Sequence, residues 1–233
     1  MKNFQKQIEK IACRHGVTEV FDDFLTMAVC ALSVGKMEKE YGEACRRYNE
    51  EEKKLFGHAL GALITDYEAC SDAAGAWDDI LGSYFETVNS ASQASRAGQF
   101  FTPKHLCDLM AQLTAVDNPG ENINDPACGS GRNLIAHARL NANNRFNCFY
   151  TGNDLDGRCV KMCVLNMVMF GMKGVVIHMN TLSLQIYGGY RIYLPETGLG
   201  IKPLSVAQCM QYVYGPSTET KKVKANEQIK MEL

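Results

Sequence analysis

The sequence predicts an α/β fold: a helical segment followed by a parallel sheet with helices on its faces. Three features predict it. The first 85 residues carry apolar and oppositely charged positions at helical spacing, strand-like and helix-like segments alternate from about residue 120, and a glycine turn, NDPACGSGRNL at 124–134, sits at the first strand-to-helix junction.

Taken in order, FDDFLTMAVCALSV at 21–34 is apolar enough for a core helix. The stretch from Lys36 to Leu60 pairs opposite charges three and four apart, Lys36 with Glu40, Glu43 with Arg46 and Arg47, and Glu50 with Lys53 and Lys54, as a solvated helix face does. Gly16, Gly35 and Gly82 are expected helix ends. Residues 1–86 thus form a helical domain, and TVNSASQASRAGQ, small and polar with no apolar period, predicts a linker over 87–98. The remainder, 99–233, is the α/β domain. HLCDLMAQLTAV predicts a helix, ENIN a strand, RNLIAHARLNA a helix, FNCFYTG a strand, RCVKMCVLNMVMFG a helix and GVVIHMN a strand, with a fourth strand around YRIYL and one or two elements beyond it. Trp77 and Phe85 are expected to pack between the helical segment and the sheet, and the final KKVKANEQIK reads as a polar tail.

Composition excludes several classes. The longest apolar stretch, 24–34, has 11 residues and falls far short of the ~20 that a bilayer demands, and the polar start MKNFQKQIEK has no export signal, so a cytoplasmic protein is expected. The ten cysteines are scattered with no CxxC pair, which favours buried free thiols over disulfides or zinc. Net charge is −2, and residues 96–190 hold eight Lys and Arg against six Asp and Glu. There is no basic stripe for autonomous nucleic-acid binding. His105, His137 and His178 are too dispersed for acid–base work.

The turn carries the chemistry. In such sheets a ligand sits beyond the carboxyl ends of the strands, at the first strand-to-helix turn. Gly129 and Gly131 permit positive φ and close approach to the main chain, and Asp125 ends the first strand where it can accept from a cationic or amide donor. Asp154 ends the second strand 23 residues after Gly131, near the ~20 expected of a carboxylate that grips ribose hydroxyls. The third glycine of a dinucleotide fingerprint is missing and no GxxxxGK[ST] occurs, which argues against a pyrophosphate-binding oxidoreductase and excludes a P-loop.

Four motifs in order, AGQFFTP (97–103), NDPACGSGRNL (124–134), GNDLD (152–156) and LNMVMFGM leading to IHMNTL (177–182), resemble the adenine-specific DNA methyltransferases, or modification subunits, of type I restriction-modification systems. The resemblance covers about 77–184. It implies a Rossmann-like S-adenosylmethionine-dependent methyltransferase fold behind a small N-terminal helical domain. It also implies that Phe101, Thr102 and Pro103 fold across the methionine end of the cofactor, while Asp125, Pro126, Gly129 and Gly131 surround its amino-acid moiety. Asp154 would take the ribose hydroxyls, Leu155 would lie against the adenine, and Asn180 would accept from the adenine amino group in place of the usual acid.

The family holds its target adenine with an Asn-Pro-Pro-aromatic tetrapeptide, and no two prolines adjoin anywhere in these 233 residues. No catalytic residue is therefore assigned. The leading expectation is an S-adenosylmethionine-binding, truncated or degenerate member that acts as a subunit or regulator and meets DNA through a complex. The alternatives are an active adenine-specific DNA methyltransferase completed by a partner chain, and a non-catalytic interaction module. A recognition or nuclease subunit, or a second copy forming a homodimer, is the expected partner, because a shortened sheet leaves an open edge.

Overall fold

A computed structural model of the chain describes residues 2–71, 77–91, 101–114, 120–142, 146–193 and 200–215. Five helices come first: α1 (Asn3–Ala12), α2 (Val17–Leu32), α3 (Glu38–Cys45), α4 (Glu50–Ser71) and α5 (Ile80–Ala91). Then follow α6 (Lys104–Thr114), β1 (Asn122–Asp125), α7 (Arg132–Leu140), β2 (Phe149–Asp154), α8 (Gly157–Met169), β3 (Gly174–Asn180), β4 (Gln185–Tyr193), β5 (Gly200–Leu204) and α9 (Val206–Tyr214). No helix among the described residues is long and apolar enough to cross a membrane.

The strands form one sheet in the order β1-β2-β3-β4-β5. Strands β1, β2 and β3 are parallel and joined through α7 and α8, the βαβαβ unit that the alternation predicts. The last two strands run antiparallel, so the sheet is mixed rather than wholly parallel. A four-residue turn at 181–184, in which Leu184 has φ 60°, sends the chain back along β3 with no helix between.

Helix α8 lies at the centre. Asp156 caps it by accepting from the Arg158 N–H at 2.8 Å. From Cys159 to Met167 every side chain except Lys161 is buried, as in a helix packed on more than one side. It separates the sheet from α2 and α5, and one hydrophobic core runs from Phe4, Phe21 and Leu63 in the first helices through Leu134, Leu165 and Val176 to Ile201 in β5. Trp77 and Phe85 are both buried in that core, as expected. Alternation along β3 sends Val176 into it and Val175, Ile177 and Met179 to the opposite face, where they pack with Cys209 of α9. Eight of the ten cysteines are buried free thiols, while Cys13 is exposed and Cys70 half-buried.

Two local expectations need correction. Thr87–Ala91, assigned to the linker over 87–98, continue α5, because Val88 finds a place in the core; the rest of that linker and the polar tail lie outside the described residues. Gly82 lies within α5 instead of ending a helix, since a Cβ there would fall 1.9 Å from Asp79 Oδ2. Gly16 does precede α2 as its N-cap, and Gly35, at φ 73°, follows its end.

Candidate functional site

The crevice lies beyond the carboxyl ends of β1, β2 and β3. From Asp125 the chain turns through Pro126 to Gly131, and the turn is internally bonded: Gly131 N–H donates to the Cys128 carbonyl at 2.7 Å and Cys128 N–H to the Asn153 carbonyl at 2.9 Å, tying it to β2. Gly129 (φ 53°) and Gly131 (φ 93°) are both left-handed. A Cβ on Gly131 would lie 2.9 Å from Cys163 Sγ of α8, and one on Gly129 would lie 2.8 Å from the ring of Phe101. Both glycines are therefore required by packing within the chain itself, in addition to any ligand.

Two carboxylates face this turn. Asp125 accepts from Ala127 N–H and Asn133 Nδ2, each at 3.1 Å. Asp154 accepts from Gly129 N–H and Asp156 N–H, each at 2.8 Å, so the second strand's acid braces the glycine turn directly. Desolvation pushes the Asp154 carboxyl above its ordinary range, the two amides oppose that shift, and the negative charges of Asp156 and Asp125 reinforce it. Such a site gains from a cation or from hydroxyl donors, and an ionised carboxylate with two amides bonded keeps further lone pairs for them. Leu155 stands 57% exposed beside Asp154. Thr181 Oγ1 donates to the Pro126 carbonyl at 2.7 Å, so the end of β3 is pinned to the end of β1.

Asn180 closes β3. Its side-chain oxygen accepts from Leu182 N–H at 3.0 Å and Ser183 N–H at 3.1 Å, which fills both lone pairs and caps the 181–184 turn.

On the opposite wall, Phe101 stacks on Phe85 with centroids 5.5 Å apart and takes the Arg132 guanidinium over its ring at 5.2 Å. The Thr102 carbonyl accepts from Arg132 at 3.4 Å, and the Pro103 carbonyl accepts from the first amides of α6. Phe101 thus abuts Gly129, Gly129 is bonded to Asp154 and Thr181 to Pro126, so these segments meet at one end of the sheet.

Residues 76–187 match the N-6 DNA Methylase family. This segment, just under half of the chain, is similar to the N-6 DNA methylases. The type I restriction enzyme MjaVIII methylase subunit of Methanocaldococcus jannaschii is 32% identical over 117 residues, covering 49% of this chain and 20% of that protein. The chain thus spans about a fifth of the length of the curated relative it matches. The crystal structure of a type I restriction-modification methyltransferase subunit from Streptococcus thermophilus superposes with a TM-score of 0.38 at 20% identity, over 72% of this chain and 36% of that one.

Several residues around the turn carry no signal of their own in the sequence. Asp79, Glu86, Ser130, Arg132 and Asn166 form the polar layer under the turn, and Thr181 closes its rim. Asp79 and Glu86 stand 46 to 53 residues before their partners in the turn, and nothing local distinguishes them from ordinary acids. Desolvation works against the Arg132 charge, yet Asp79 and Glu86 hold its pKa above the ordinary value.

Proposed function

We propose that this chain binds S-adenosylmethionine in the crevice between Asp125 and Asp154 and serves as a component of an adenine-methylating DNA modification complex. The observation that carries the reading is the pairing of two strand-end carboxylates across one glycine turn, with Asp154 held above its ordinary pKa by dehydration and by neighbouring negative charge. Such a site favours a ligand that carries positive charge and hydroxyl donors, and S-adenosylmethionine has an ammonium, a sulfonium and a ribose diol. When bound, that cofactor supplies an electrophilic methyl group. Phe101 to Pro103 would flank its methionine end, the Pro126 to Gly131 turn its amino-acid moiety, Asp154 its ribose and Leu155 its adenine. The relative from Methanocaldococcus jannaschii is named as a methylase subunit of a type I restriction enzyme, which supports contact with DNA and with a recognition or nuclease subunit.

Titration calorimetry with S-adenosylmethionine tests this. Asp154→Ala is expected to weaken binding by ~10 to 100-fold, as the loss of a charged hydrogen bond of ~1.5 to 3 kcal/mol does. Unchanged affinity would refute the pose.

A second reading is favoured by the outer edge of β1. That strand pairs only with β2 among the described residues, and beside it runs an open groove of about 370 Å³ lined by Met110 and Ala111 of α6, Asn122 and Asn124 of β1, and Leu134 of α7. A partner chain seated there would complete the sheet and supply the groups that hold a target adenine, giving an active adenine-specific methyltransferase. Methyl transfer to DNA that appears with a partner subunit and disappears in Asp125→Ala would establish it. A strictly monomeric mass in the presence of that subunit would remove it.

A further inference from the structure

A buried, hydrogen-bonded polar cluster lies beneath the glycine turn, outside the crevice itself. Its centre is Asp79, just ahead of α5 and 2% exposed. One carboxylate oxygen accepts from Gly82 N–H at 2.8 Å and Asn166 Nδ2 at 2.9 Å. The other accepts from Ser130 Oγ at 2.5 Å and Arg132 Nε at 2.8 Å. Asn166, fully buried in α8, also donates to the Ser130 carbonyl at 2.8 Å and takes a bond from the Tyr67 hydroxyl on its own oxygen. The glycine turn and α8 therefore converge with Asp79's own segment on one carboxylate.

The two residues on either side of Gly131 are bound to the same oxygen of Asp79, and that arrangement fixes the left-handed conformation between them. Through Arg132 the constraint passes further: the same guanidinium reaches Glu86 at 2.8 Å and the Thr102 carbonyl at 3.4 Å, and lies over the Phe101 ring. Both walls of the crevice, the glycine turn and the 101–103 segment, are thus referred to a group that belongs to neither. Burying a carboxylate is costly unless it is paired and fully hydrogen-bonded, and here it is both.

We propose that Asp79 is a positioning residue: through Ser130 and Arg132 it preassembles the turn, so that the helical region sets the affinity of the crevice for its ligand. Preorganisation of this kind raises affinity because the bound geometry need not be ordered at the moment of binding. The proposal rests on S-adenosylmethionine as the ligand only for its affinity arm; the conformational arm does not need a ligand at all.

The test uses the full chain with Asp79→Asn and Ser130→Ala, the second removing one hydroxyl and so keeping the fold if the first does not fold. Amide exchange of Gly129 and Gly131 is followed by NMR without ligand, and S-adenosylmethionine affinity by calorimetry. Both glycine amides are hydrogen-bonded in the turn, so their exchange reports its opening. The expected result is at least tenfold faster exchange at these two amides than in the parent protein, no change at Tyr150 in the core, and an affinity reduced about threefold or more in each folded variant. Ser130→Thr, which keeps the hydroxyl, is expected to restore slow exchange. Parent-like glycine exchange in a folded Ser130→Ala protein would overturn the proposal, as would accelerated exchange with undiminished affinity. If the parent protein itself does not bind S-adenosylmethionine, the cofactor reading fails while the exchange result still decides the role of Asp79.

Discussion

Replacing Gly129 by alanine separates backbone strain from steric conflict at the crevice. The residue has φ 53°, so any Cβ there costs about 1–2 kcal/mol as a left-handed residue. That Cβ would also lie 2.8 and 2.9 Å from two ring carbons of Phe101. The ring has little room to retreat: Phe85, 2% exposed, stacks on it, Arg132 lies over it, and the Phe101 backbone N–H donates to Glu86 at 3.3 Å. Overpacking of this kind adds about 1–3 kcal/mol, giving a total of roughly 2–5 kcal/mol. For a chain of this length, with about 2–4 °C of Tm per kcal/mol, the loss is roughly 4–20 °C. Urea unfolding followed by the fluorescence of Trp77, the single tryptophan and 4% exposed, measures it. In the double variant Phe101→Ala, Gly129→Ala the steric part vanishes, so the two substitutions should couple by about 1–3 kcal/mol in the favourable direction. Strict additivity would refute the proposed contact, and an unchanged midpoint for Gly129→Ala alone would refute the turn geometry.

Gly82→Ala is expected to cost more than ~3 kcal/mol, because its Cβ would meet Asp79 Oδ2 at 1.9 Å and Ser130 Oγ at 2.6 Å in a buried layer. Gly57→Ala, in the middle of α4 with nothing within 4 Å of the new Cβ, should instead stabilise by about 0.5–1 kcal/mol; thermal melts of both distinguish packing from helix propensity. Asp154, whose carboxyl is raised above its unfolded value of 3.8, binds its proton more tightly folded than unfolded, so its contribution is complete below that unfolded pKa and is lost as pH rises through the folded one. The stability of the parent protein relative to Asp154→Asn should accordingly be greatest at the acid end of that window, and a pH-independent difference in urea midpoints would contradict the burial. Trp77→Phe removes the 2.7 Å bond from Nε1 to Asp108, whose carboxylate is partly exposed and can rehydrate, so far-UV circular dichroism should report a loss of only about 0.5–1.5 kcal/mol.

Much of the α/β unit was legible because its segments announce themselves by period. The run from GVVIHMN gives β3 almost residue for residue, and RCVKMCVLNMVMFG gives α8, since apolar strings of those lengths have only one way to be buried between layers. The direction of β4 was not legible. Its turn, TLSL, lacks the glycine or proline that normally marks a hairpin, and the reversal is made instead by the Asn180 cap and by Leu184 in a left-handed conformation. Gly82 misled because glycine serves equally to end a helix and to admit a close neighbour, and only the position of Asp79 tells which. At the crevice, the strand-end acids and the glycines could be located from spacing alone. Their supporting layer could not, since Ser130, Arg132 and Asn166 meet Asp79 across 51 to 87 residues of chain.

The uninterrupted apolar interior that joins the first helices to β5 has a practical corollary for dissection of the chain. A protease cut between residues 91 and 101 would leave two fragments whose broad oily faces, Phe21 and Phe85 on one and Leu134 and Leu165 on the other, still adhere. They should co-elute as a nicked complex, and neither piece made alone should reach the soluble fraction.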